Sequence, residues 1–173
     1  MALAEEAASE STVVLRDRTS QLPLPTDKPI LLIEQIHHFH AFINNTYSHP
    51  GMLWEEMNRL SSNVSVVAVN EKMTEEDKAA VRKLIDGAEL IVSTSYYNYR
   101  SHACMIPFLE EVRAAGKPMV VVSNTPYKKF GVPDWVDSAV VSFCPSGREH
   151  MRAVAEILFG KLKATAKLPV TEL

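Results

Sequence analysis

Two stretches of this 173-residue chain concentrate side chains able to do chemistry. The first holds His37, His38, His40 and His49 beside Glu34. Imidazole and carboxylate together suit zinc. The spacing is irregular, however, and no cysteine accompanies it, so the stretch reads as a polar loop whose histidines cover a neighbouring surface. No metal site is expected. The second stretch, Ser93-Thr94-Ser95-Tyr96-Tyr97-Asn98-Tyr99-Arg100, gathers aromatics, hydroxyls, an amide and a guanidinium. That mixture suits a sugar, whose CH faces stack on rings while its hydroxyls need donors and acceptors. Equally, the tyrosines could pack on an adjoining domain or cap a sheet end. A carbohydrate site at a domain boundary would satisfy both readings.

Other chemistries find no support. GxGxxG and GxxxxGK[ST] are absent and the chain has only 6 glycines, which disfavours dinucleotide and nucleoside triphosphate binding by those routes. No serine sits in a GxSxG elbow, and no cysteine comes with a histidine at a known spacing. The 21 acidic residues nominate no particular catalytic pair. No cofactor is expected.

The elements that must position these loops alternate regularly. Ala2 to Glu10 is an alanine-rich helical piece, Thr12 to Leu15 a strand, and Arg16 to Lys28 a polar, proline-bearing connection. Residues 1–28 thus read as a linker helix and lead-in strand, and 29–173 as the domain proper. Ile30 to Ile33, Val64 to Val69, Leu90 to Val92, Pro118 to Val122 and Ala139 to Val141 are solidly apolar, as in strands covered on both faces. Helices fall between them: Met52 to Leu60, a run opened by a Thr74 N-cap and ended by a left-handed Gly87, Cys104 to Ala115 closed by Gly116, and Ser146 to Leu162. In the last, Ser146 and Glu149 predict a capping box. The fold class is α/β: an open, doubly wound, mostly parallel sheet with helices on both faces, a three-layer sandwich. Ligands of such sheets bind beyond the carboxyl ends of the strands. The loops there are Gln35 to Pro50, Asn70 to Met73, Ser93 to His102 and Ser123 to Pro133.

Composition narrows the partners. Hydrophobic residues make up 46% and charged residues 23%, and the formal net charge is −3. Neither nucleic acid nor an anionic membrane is expected on that charge. No apolar run approaches the ~20 residues that span a bilayer. Cys104 and Cys144 read as two free, largely buried thiols in a reducing compartment. The N-terminus carries acids where a secretory signal carries bases. A cytoplasmic chain is expected, unless an upstream signal exports a longer parent.

The segments "AGKPMVVVSNTPY" and "AEILFGKLKATAKLPV", with "AEEAASESTVVLRDRTSQLPL" at the start, resemble the second, α/β-sandwich domain of glycoside hydrolase family 3 from end to end. The resemblance implies a partner, an N-terminal TIM-type barrel that carries the aspartate nucleophile of a retaining mechanism. Nothing in this chain could encode that barrel, and Met1 stands just before the linker helix, as in a fragment or a gene product reduced to one domain. Retaining hydrolysis needs a nucleophile and an acid/base. In the β-glucosidase-like branch the sandwich domain supplies a glutamate acid/base from the loop after the Leu90 strand. Here that loop has no acid before Glu110. It therefore looks more like the β-N-acetylhexosaminidase branch, whose acid/base is a histidine of the barrel. Two departures stand out: Thr165-Ala166-Lys167 replaces the family's glycine before Leu-Pro-Val, and the Tyr-rich loop is unusual.

What the resemblance implies is an accessory domain without catalytic residues of its own. It would support the barrel and offer Tyr96, Asn98, Tyr99, Arg100, Asn124 and Tyr127 to carbohydrate at the domain boundary. The rival is a free-standing carbohydrate-binding or protein-interaction module; an independent metal enzyme using the His-rich loop ranks last. A domain without its partner exposes apolar surface, so a homodimer is a further expectation.

Overall fold

A computed structural model describes residues 2–36, 51–70, 73–97, 105–144 and 147–168. Six strands are present: β1 (Thr12–Asp17), β2 (Ile30–Ile36), β3 (Val64–Asn70), β4 (Leu90–Ser95), β5 (Met119–Ser123) and β6 (Ser138–Ser142). Five helices are described: α1 (Ala2–Glu10), α2 (Met52–Asn58), α3 (Glu75–Ile85), α4 (Ile106–Arg113) and α5 (Arg148–Leu158). The strands form one sheet in the order β1-β6-β5-β4-β2-β3. Every pairing is parallel except β1 with β6, so the lead-in strand closes one edge of the same sheet.

Alternation along each apolar strand feeds two cores. Ile30 and Leu32 point to one face, where Leu53 and Met57 of α2 and Met151, Val154 and Leu158 of α5 cover them. Leu31 and Ile33 point to the other, under Val81 of α3 and Phe108, Leu109 and Val112 of α4. Side chains such as Leu31, Leu32, Val121 and Val140 have no exposed surface. Fully burying each contributes about 1.5–3 kcal/mol. The three-layer, doubly wound α/β sandwich expected from the pattern is the observed fold.

Helix ends obey local chemistry. Thr74 caps α3 in a reciprocal box with Asp77, and three acids occupy its first turn. Gly116, at φ +68°, closes the turn after α4 as expected. Three helix ends differ from expectation. Gly87 is not left-handed; its N–H bonds Leu84 O in a tight turn. Ser146 lies outside the described residues; the last helix has Gly147 at the N-cap, with no side-chain cap bond, so Glu149 is one position short of a capping box. It stops at Leu158 rather than Leu162. There Gly160 at φ +67° bonds Ile157 O, and Lys161 N–H bonds Glu156 O, the paired closure of a Schellman turn.

The β1 edge is fastened by charge. Arg16 donates to the carbonyls of Val132, Pro133 and Val136, so one guanidinium holds the loop that enters β6. Asp17 accepts from the N–H groups of Gln21 and Leu22 and from the Ser138 hydroxyl.

Candidate functional site

The helices that follow β2 and β4, α2 and α4, lie on opposite faces of the sheet. Open α/β sheets bind ligands beyond the ends of such a neighbouring pair of strands, which makes the ends of β2 and β4 the place to look. Two amide side chains organise it. Gln35, at the end of β2, accepts from Tyr96 N–H at 2.8 Å and donates to Tyr96 O at 2.9 Å. Asn124, just past β5, accepts from Tyr97 N–H at 2.9 Å and donates to Tyr97 O at 3.0 Å. A carboxamide carries both a donor and an acceptor, so it replaces a missing strand partner for one residue. Consecutive residues are thus gripped from the two neighbouring strands. Asn98, Tyr99 and Arg100 follow directly, and they lie outside the described residues.

The wall on the β5 side is a tight turn. Tyr127 O receives the N–H groups of Phe130, Gly131 and Val132 at 2.8–3.3 Å. Ser123 Oγ lies 2.6 Å from Ser95 O and 2.9 Å from Thr125 O, tying the turn's base to β4. Phe130 packs its ring on Tyr97, centroids 4.5 Å apart. Tyr127 is 50% exposed and projects a ring that a sugar face could meet.

Tyr96 sits elsewhere. It is 3% exposed, within the core on the α2–α5 face, and its hydroxyl lies 3.6 Å from Met151 Sδ. Burial, with Glu34 nearby, pushes its phenol far above the usual range. The expectation that Tyr96 faces sugar is corrected: its ring is packed and has no open face. Its residue number explains why, since Tyr96 directly follows β4 and continues the alternation that puts Leu90 and Val92 in the same core.

Glu34 is buried at the same end of the sheet. Its carboxylate accepts from Leu53 N–H at 2.8 Å and Trp54 N–H at 3.3 Å, at the start of α2. Burial pushes its pKa up to about 7 against the pull of those N–H groups; the Glu55 charge adds to the rise. It is buried and anchors a helix start.

His37, His38, His40 and His49 lie outside the described residues, as does Cys104. Among the described residues no cluster of three or more His, Cys, Asp or Glu could hold a metal ion. Cys144 is a free, half-buried thiol. No described helix is long and apolar enough to cross a membrane.

Tyr97 belongs to the Tyr-rich stretch but not to the six residues expected to face sugar, and Gln35 and Phe130 are not among those six either. A signal existed for the amides: the apolar runs of β2 and β5 break into Glu34-Gln35 and Ser123-Asn124 just where the strands end. Replacing Asn124 with alanine removes both bonds to Tyr97 and should cost about 1–3 kcal/mol. Urea melts would read the loss, with faster exchange of the Tyr97 amide; unchanged exchange would remove the clamp from the account.

Residues 12–172 match the glycosyl hydrolase family 3 C-terminal domain. The chain belongs to that family. Solved family 3 enzymes share its fold. A β-N-acetylglucosaminidase from Paenibacillus sp. str. FPU-7 superposes with TM-score 0.79 at 19% identity, over 95% of this chain and 31% of its own. A fungal multi-domain β-N-acetylglucosaminidase gives 0.74 at 16%, over 98% and 19%. A mutant β-glucosidase from Listeria innocua in complex with laminaribiose gives 0.72 at 21%, over 91% and 24%. The family 3 domain described here therefore spans less than a third of each of these enzymes. No curated protein sequence matches it significantly.

Proposed function

We propose that this family 3 domain is the accessory, non-catalytic part of a glycosidase of the β-N-acetylhexosaminidase type. It buttresses a nucleophile-bearing barrel and borders the sugar cleft with Asn98, Tyr99, Arg100, Asn124 and Tyr127. The observation that carries the reading is the segment after β4. It contains no acid before Glu110, and Glu110 falls inside α4 rather than at the strand end. A glucosidase-type relative would place its acid/base in that segment. The Gln35 and Asn124 clamps support a positioning role, because they fix the root of the loop without offering a proton-transfer group.

The test is reconstitution. The purified chain should not hydrolyse a chromogenic N-acetylglucosaminide, and adding the cognate barrel should restore turnover. Hydrolysis by the chain alone would sink the accessory reading. Tyr127, Phe130 and Phe143, exposed by 50%, 41% and 48% at the ends of β5 and β6, favour a second reading, a free-standing carbohydrate-binding or protein-interaction module. Sugar binding without turnover, lost in Tyr99→Ala and indifferent to the barrel, would select it. Self-association through that aromatic edge belongs to the same reading.

A further inference from the structure

The opposite, amino-terminal end of the strands holds a cavity of about 380 Å³ that the cleft reading leaves unused. It lies where β5 and β6 begin, bounded by the turn after β1, the Gly116–Pro118 connection and the Trp135–Asp137 segment. We propose that this cavity binds an anionic small molecule of monosaccharide size, a sugar acid or a sugar phosphate, held by Arg113 and Lys117 against Trp135.

The size falls within the range of small-molecule pockets. Arg113 is the decisive group. Its guanidinium carbon lies over the Trp135 ring, 5.0 Å from the centroid, a cation–π contact that holds the charge at the cavity wall. Each other described arginine donates to an oxygen: Arg16 and Arg18 to carbonyls, Arg59, Arg82, Arg148 and Arg152 to carboxylates. Arg113 alone among the described arginines has no oxygen acceptor. A guanidinium with no oxygen acceptor, held over a ring at the cavity wall, suits a carboxylate or a phosphate.

The surrounding charge points the same way. Lys117 Nζ contacts only the Asp86 carbonyl, at 3.3 Å, so its charge has no counterion there. Asp137 is the acid on the wall, and Arg18 lies 3.9 Å from it. The charged side chains of the wall are thus two cations and one acid, the acid with Arg18 beside it. Trp135, half-buried, gives the CH groups of a ring an apolar wall, while Thr19 and Gln21 add hydroxyl and amide groups. A bare inorganic anion would leave that wall unused.

Trp135 also reports on the site. The other tryptophan, Trp54, bonds Val64 O and packs with the α2–α5 core. In a Trp54→Phe chain the remaining emission comes from Trp135 alone. Glucuronate, glucose 6-phosphate, glucose and inorganic phosphate are titrated in turn. Saturable quenching or enhancement is expected for at least one of the two sugar anions, and which one responds identifies the anionic group. Glucose and phosphate should each bind at least about tenfold more weakly, a difference of about 1.4 kcal/mol. Arg113→Gln should weaken the response by about tenfold or more, whereas Lys161→Gln should leave it intact. Should Trp54→Phe not fold, amide shifts of Gly116, Lys117, Met119 and residues 135–137 in the unmodified chain give the same readout. The proposal fails if neither sugar anion saturates, if phosphate alone matches them, or if Arg113→Gln binds normally. None of these outcomes depends on the hydrolase reading.

Discussion

Gly131→Ala is expected to destabilise the domain by about 3–5 kcal/mol and to dislodge the turn that presents Tyr127. A Cβ at Gly131 would fall onto the Thr125 carbonyl oxygen and the Ser123 hydroxyl, and would stand 2.8 Å from Thr125 Cγ2. The first of these is backbone and cannot swing aside. The second links Ser95 O with Thr125 O, so displacing it breaks the tie between β4 and the loop after β5. Overpacking alone costs about 1–3 kcal/mol, and a buried carbonyl deprived of its donor adds about 1–3. Gly131 does not have a positive φ, so the effect is one of close approach rather than backbone strain. Gly116→Ala separates the two causes. Gly116 is left-handed at φ +68°, yet a Cβ there meets nothing within 4 Å, and the loss should be only about 1 kcal/mol. Thermal or urea unfolding of the two variants makes the comparison. Equal losses would show that packing around Gly131 yields freely and that the Ser123 tie contributes little.

The architecture was legible because its signals are local and redundant. Runs such as Ile30-Leu31-Leu32-Ile33 have no polar face, which demands cover on both sides of a sheet. Thr74 followed by three acids marks a helix start by chemistry confined to one turn. Endings proved harder. The stop of α5 is written in Gly160, but Leu162 continues the apolar stripe and packs against the same core, so periodicity overruns the true end. The site was less legible for a different reason. Gln35 meets Tyr96 across 61 residues and Asn124 meets Tyr97 across 27, and such pairings depend on strand order. Tyr96 illustrates the converse error. A cluster of tyrosines reads as a surface, yet strand alternation already directed Tyr96 into the core and left Tyr97 to the aromatic pair with Phe130.

Glu34 should make the domain lose stability as pH rises. Its folded-state pKa of about 7 lies above the ordinary 4.5, so the folded chain binds the proton more tightly than the unfolded one. The stabilisation from that proton is therefore fully present below the unfolded value and disappears as pH climbs through about 7. A shift of this size corresponds to about 2–3 kcal/mol lost between about pH 5 and about pH 8.5. The physical cause is a carboxyl only 5% exposed whose helix-start N–H bonds do not repay full desolvation. Its charged and titratable described neighbours make matters worse. Glu55 lies on the same helix, and the Tyr96 phenol is held neutral. Arg148 is drawn to Glu55 and Glu56 instead, in the α2–α5 ion network. Glu34→Gln keeps the shape and an acceptor oxygen while removing the titration. Its stability should fall less than that of the unmodified chain over this pH window, by about 2–3 kcal/mol measured as the difference between the two urea-unfolding profiles. Parallel profiles would mean that Glu34 does not titrate in this window, and that the start of α2 holds a stable carboxylate at every pH tested.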